Sequence, residues 1–183
     1  MDARIIKTKQ KIKDALLSLL RSKKVGKISI SELCKKANIN RNTFYTHYAT
    51  PEAVLMEIAN ELSDEMFAII AKCESRAQIA LAVCQYTYSH VDTYRIIMQN
   101  DGQNVYLKPA IRYSKNITLY KLDNSPAKFT QEQLDMIDEF LLNGTIAILQ
   151  KWIEGGAQAS PETVGNIINL LSKTLIEGLN STK

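Results

Sequence analysis

Between Ser29 and Pro51 the chain must start a helix, stop it, turn and start two more, and the residues that enforce this leave little room for another fold. Ser29-Ile30-Ser31-Glu32 has the form of a capping box, in which the Ser29 hydroxyl and the Glu32 carboxylate satisfy exposed amides at a helix start. Ile30, Leu33, Cys34 and Ala37 then give this helix one apolar side over little more than two turns. Asn38 ends it, because asparagine is among the few non-glycine residues that tolerate the left-handed conformation. Ile39 anchors the turn, and Asn40 is a good N-cap for a third helix over Arg41–Tyr48. Thr50-Pro51 caps and opens a fourth, with proline at the first helical position, where a missing amide does no harm.

Ahead of this segment, Ile5, Ile12, Leu16, Leu19 and Leu20 recur at helical spacing from Arg4 to Ser22. A supporting helix followed by two short helices and a turn of about four residues describes a helix-turn-helix, whose second short helix enters the DNA major groove N-terminus first. Phe44 and Tyr48 share one face of that helix and can pack on Leu16, Leu33 and Ile39. Arg41, Asn42, Thr43 and Tyr45 are left for its start and outer surface. Arginine and asparagine make paired contacts to guanine and adenine edges, and threonine meets a thymine methyl or a phosphate. Tyr45, His47, Lys23, Lys24 and Lys27 are placed to meet sugar and phosphate. The full DNA-facing set expected is Lys27, Ser29, Ser31, Asn40, Arg41 and Asn42, with Thr43, Tyr45, His47 and Tyr48.

Charge supports this polarity. Residues 1–48 carry twelve Lys or Arg against three acids, a net +9, whereas the other 135 residues carry eleven against sixteen, a net −5. A basic head on an acidic body suits a head that meets a polyanion.

Residues 8–58 resemble the N-terminal DNA-binding domain of the TetR family of bacterial transcription regulators. The resemblance rests on the amphipathic first helix, Ser29-Ile30-Ser31-Glu32-Leu33, Thr43-Phe44-Tyr45-x-x-Tyr48 and the following Glu52-Ala53-Val54-Leu55. Two positions depart from the family pattern: Asn38 stands where a turn glycine is usual, and Pro51 where a lysine usually contacts phosphate. Domains are expected at 1–49, the DNA-binding unit, and 50–183, a helical regulatory and dimerisation unit.

The body reads as helices throughout, giving an all-α protein of about nine helices. They are expected over 51–72, 75–90, 92–98 (capped by Asp92), 103–122 (bent at Pro109), 130–154 and 161–178, with a loop containing Pro126. Thr130-x-x-Gln133 is a second capping box, and Gly155-Gly156 ends the helix that it opens. The last two helices are apolar over wider arcs than one domain can cover. Phe140, Leu141, Ile148 and Trp152 on one, and Ile167, Leu171 and Leu175 on the other, are expected at a two-fold dimer interface. Asn143-Gly144-Thr145 would permit close helix approach there. The TetR resemblance implies the same dimer, and Gly144–Gly156 is loosely similar to a C-terminal type found in Firmicutes members. It also implies a small-molecule pocket among the middle helices, where Met66, Phe67, Ile70, Tyr86, Tyr94, Met98 and Tyr113 fall. Tyrosines suit a pocket through apolar area plus one hydroxyl.

Catalysis is not expected. His47 and His90 are the only histidines, and neither HExxH, GxGxxG nor GxxxxGK[ST] occurs. Asp64-Glu65 and Asp135/Asp138/Glu139 read as solvated helix faces. Cys34, Cys73 and Cys84 lack CxxC spacing, so no metal or cofactor is expected and a reducing compartment, the cytoplasm, is. No apolar run approaches membrane length, and the charged N-terminus is unlike a secretory signal. The expected function is a ligand-responsive dimeric regulator, in the family most often a repressor, bound to a near-palindromic double-stranded DNA operator as a homodimer. The alternatives are an activator of the same type, or a helical adaptor whose body binds a partner protein.

Overall fold

The computed structural model describes residues 3–100 and 129–181, and among them all regular structure is helical. The helices are α1 (Ala3–Leu20), α2 (Ile30–Ala37), α3 (Arg41–Tyr45), α4 (Pro51–Ile70), α5 (Arg76–Ser89), α6 (Val91–Asn100), α7 (Gln131–Glu154) and α8 (Pro161–Ser181), with a 3-10 turn at Val25–Lys27. The fold is all-α, as expected. The helix expected over 103–122, its bend at Pro109, the Pro126 loop and Tyr113 lie outside the described residues. The described residues form two compact units: 3–63 with 92–100, and 64–91 with 129–181.

The first unit is built on α1, whose Ile12, Ala15, Leu16 and Leu20 are buried while Ile5 and Ile6 are exposed. In the same unit Leu33, Cys34 and Ala37 of α2, Phe44 of α3, and Val54, Leu55, Ile58 and Ala59 of α4 are also buried. Ser29 caps α2, and Asn38 ends it in the left-handed conformation at φ 53°, ψ 53°. Asn40 caps α3 by accepting a 2.7 Å hydrogen bond from the Thr43 amide. Thr50 caps α4 through the Ala53 amide at 3.2 Å. The third helix is shorter than expected: it stops at Tyr45, and Thr46 and His47 form a turn. Thr43, Phe44, Tyr45 and Thr46 are poor helix formers, and the Thr46 hydroxyl returns to the Asn42 carbonyl at 2.9 Å. Helix α6 begins one residue before Asp92, which lies in its first turn and pairs with Arg95 at 3.2 Å instead of capping it.

The second unit packs α5 and α8 along one another, and Trp152 of α7 shares a core with Ala80, Cys84, Ala157, Val164 and Ile168. Both α5 and α7 open with complete capping boxes, Ser75/Gln78 and Thr130/Gln133. After Glu154 the chain turns through Gly156 and Ala157, both at positive φ, and the Ala157 amide returns to the Trp152 carbonyl at 2.8 Å. Close approach of helices within this unit occurs at Gly165 and not at Gly144. A Cβ on Gly165 would lie 3.1 Å from the Leu81 Cα, whereas one on Gly144 would meet nothing within 4 Å. Asp138 is buried, not on a solvated face as expected, and its carboxylate opposes the downward effect of burial on Arg76.

Candidate nucleic-acid interface

The start of α3 presents Arg41 and Asn42 exposed, Thr43 half-buried and Tyr45 58% exposed. Phe44, fully buried between them, fixes which face points outward. Its ring meets Tyr45 edge-on at 5.9 Å and Tyr48 at 6.0 Å. The Arg41 guanidinium donates to the Ser31 hydroxyl, which ties the two short helices together and aims the side chain before any ligand arrives. Lys27 and Ser29 are exposed beside them, and His47 is half-buried. Asn40 and Ser29 use their side-chain oxygens as caps.

Three assignments differ from the sequence expectation. Tyr48, expected among the DNA-facing residues as well as in the core, is a core residue. It is 4% exposed, and its hydroxyl donates to Glu57 at 3.1 Å. Burial, reinforced by Glu57, pushes that phenol far above its ordinary range. The Ser29/Glu32 capping box is one-sided: the Glu32 amide reaches Ser29 at 3.2 Å, but the Glu32 carboxylate pairs with Lys23 at 2.5 Å. Lys24, expected at phosphate, donates to the Gln99 carbonyl of α6.

Charge is organised around Glu57. Its carboxylate accepts from Lys9 at 2.9 Å, lies 3.2 Å from Lys13 and accepts from Tyr48, while Lys13 also pairs with Glu61. Burial works to raise the Glu57 carboxyl, but the two ammonium groups and the phenol outweigh it and hold the group below the usual carboxylate range. Burial likewise works to lower Lys13, and Glu61 and Glu57 outweigh it, leaving the ammonium raised. Lys9 and Lys13 thus bind α1 to α4 instead of enriching the outer surface. Arg41 and Lys27 remain exposed. Nothing in the sequence spacing signalled Glu57 as this node. Among the described residues no group of three or more His, Cys, Asp or Glu side chains could hold a metal ion.

Residues 74–174 match the family described as the transcriptional regulator C-terminal region of TetR type, which covers more than half of the chain. The chain belongs to the TetR family of transcriptional regulators. It is also similar to YxbF of Bacillus subtilis (strain 168), an HTH-type transcriptional regulator, at 30% identity over 162 residues. That alignment covers 84% of this chain, and the chain spans 41% of the length of the relative it matches. The TetR transcriptional regulator from Streptococcus agalactiae shares the fold at a TM-score of 0.73 and 21% identity, over 93% of this chain and 96% of that one. Dihydroxyacetone kinase operon activator DhaS shares it at 0.65 and 19%, over 93% and 96%. The fatty acid degradation regulator FadR from Bacillus halodurans does so at 0.66 and 13%, over 94% and 96%.

In this TetR-family chain the residues expected at a dimer interface divide. Phe140 is 69% exposed, and Ile167 and Leu171 are exposed as well, as are Met136 and Leu170 on the same two helices. Leu141, Ile148 and Leu175 are half-buried. Trp152 is not available to a partner: it is 8% exposed, donates to the Ala159 carbonyl at 3.0 Å and stacks on Tyr88 at 5.9 Å. Among the expected pocket residues, Met66, Phe67, Ile70 and Tyr86 lie in the second unit, and Tyr94 and Met98 in the first. The Tyr86 hydroxyl donates to Glu65 at 2.8 Å, and its ring lies 4.3 Å from that of His90.

Proposed function

We propose that the chain is a ligand-responsive, dimeric, DNA-binding transcription regulator in which residues 1–49 read DNA and residues 50–183 regulate and dimerise. One observation carries the reading: a helix start capped by Asn40 and anchored by Phe44 leaves Arg41, Asn42 and Tyr45 outward, with Arg41 pre-aimed by Ser31. Those are the side-chain types that read base edges and grip phosphate in the major groove. Thr43, Lys27 and His47 flank them, and Ser29 and Asn40 serve the site as caps. The exposed apolar surface of α7 and α8, centred on Phe140 and Leu171, suits a second copy of the chain related by two-fold symmetry. Two reading helices so related would meet half-sites about 34–36 Å apart on a near-palindromic operator. A small molecule held in the second unit, with Met66, Phe67, Ile70 and Tyr86 as contributors, would release the operator, making the protein a repressor acting in the cytoplasm.

Binding to the DNA flanking its own gene, titrated with salt, tests the reading. Affinity should fall steeply as salt rises, and Arg41→Ala and Tyr45→Ala should each weaken the best fragment by about tenfold or more. Wild-type affinity in both variants would remove α3 as the reader. Sizing by light scattering at micromolar concentration should give a dimer, with Phe140→Glu a monomer; a monomeric wild type would overturn the assembly. Activation is the second reading, since one protein of this fold, DhaS, is an operon activator. Transcription in vitro from the bound fragment separates the two.

A further inference from the structure

Three features lie outside the DNA-reading surface just described: the α1–α4 ion network, the Tyr86–His90 stack, and the end of α6 on the turn that precedes α2. Val25 opens the 3-10 turn, so its amide has no acceptor within the turn. The Asn100 Oδ1 accepts from that amide at 2.8 Å. The Asn100 Nδ2 is itself spent on the Ile96 carbonyl at 2.8 Å, so both halves of the side-chain amide are used and its orientation is fixed. In the opposite direction, the Lys24 ammonium donates to the carbonyl of Gln99, the residue of α6 next to Asn100.

The two bonds run in opposite senses across one contact, 75 residues apart in sequence and within the first unit. From the clamped turn the chain passes directly through Lys27 and buried Ile28 to Ser29, the cap of α2. We infer that the end of α6 is a positioning element for the DNA-reading unit: Asn100 holds the Val25–Lys27 turn, and Gln99 keeps Lys24 off the DNA while Lys27 is left for phosphate. This rests on the proposed DNA-binding reading. It divides two exposed lysines three residues apart into one tied to α6 and one that grips DNA, which charge counting cannot do.

The tests separate the latch from the reading it rests on. On mixed-sequence duplex DNA, a lysine that neutralises a phosphate contributes about 0.9 to the slope of log affinity against log salt. Lys27→Gln should lower the slope by that amount and Lys24→Gln should leave it unchanged. An equal drop for both would overturn the inference. Independently of DNA, amide hydrogen exchange of the full chain should show the Val25 amide protected. Asn100→Ala should speed its exchange by about tenfold, and Asn100→Asp, which keeps the acceptor, should restore protection. The Leu33 amide, bonded to the Ser29 carbonyl at 3.0 Å, reports opening of α2 as a whole and should not change. Equal Val25 exchange in wild type and Asn100→Ala would remove the latch. A wild type with no salt-dependent binding would remove the DNA reading, leaving the latch to the exchange result.

Discussion

Replacing Glu57 by glutamine removes a charge while keeping the shape and one acceptor, so it isolates the ionic part of the α1–α4 junction. Glu57 faces Lys9 at 2.9 Å, with both side chains 27% exposed, and Lys13 at 3.2 Å, with the lysine side chain 9% exposed. A partly exposed pair contributes about 0.5 kcal/mol, and the more enclosed one about 1 kcal/mol. The substitution should therefore cost about 1.5 kcal/mol, less than the loss of a buried charge pair because Lys13 keeps Glu61. In a chain of this size that lowers Tm by about 3–6 °C. Glu57→Ala should cost about 1 kcal/mol more, since the buried Tyr48 hydroxyl then loses its acceptor.

The pH dependence gives the sharper check. The folded Glu57 carboxyl is held below its ordinary value of 4.5, so its contribution is complete above that pH and disappears as pH falls through the lower folded value. Melting curves of wild type and Glu57→Gln, recorded from neutral pH downward, should differ by a constant amount until about pH 4.5 and then converge. A gap that persists in strong acid would show that glutamine fails for steric reasons, and the ionic argument would be wrong. Lys13 has the opposite sign: its folded value is raised above 10.5, so its contribution holds below that pH and is lost only as pH rises past it.

Other perturbations probe separate parts of the chain. Gly165→Ala would put a Cβ 3.1 Å from the Leu81 Cα and 3.3 Å from its nitrogen, both backbone atoms that no rotamer change can clear, and should cost about 1–3 kcal/mol. Calorimetry showing an unchanged or raised Tm would mean that α5 and α8 are less closely packed than described. At Asn38, with φ at 53°, glycine should be neutral or stabilising and valine should cost about 1–2 kcal/mol. Equal melting temperatures for Asn38→Gly and Asn38→Val would remove the left-handed cap as the device that ends α2.

What was legible beforehand follows from the range over which each signal acts. The caps at Ser29, Asn40, Thr50 and Thr130 each join residues three apart, and all four were readable from residue type and spacing. So was the division of α3 by face, because Phe44 and Tyr48 are separated by one helical turn whether or not the helix itself continues to Tyr48. Its early stop was not, since pattern reports where side chains face and not where the backbone changes from helix to turn. Partner choice failed for a different reason. Glu32 could satisfy the Ser29 amide or a lysine nine residues back, and only the folded turn brings Lys23 near enough to win. The same holds at separations of 48 and 75 residues, where Lys13 finds Glu61 and Asn100 finds Val25. A lysine count therefore gave the sign of the head correctly but overstated its outward charge. Lys9, Lys13, Lys23 and Lys24 are engaged inside the unit, and affinity for DNA should scale with the cations left outward, Lys27 and Arg41 foremost, not with the net +9 of the segment.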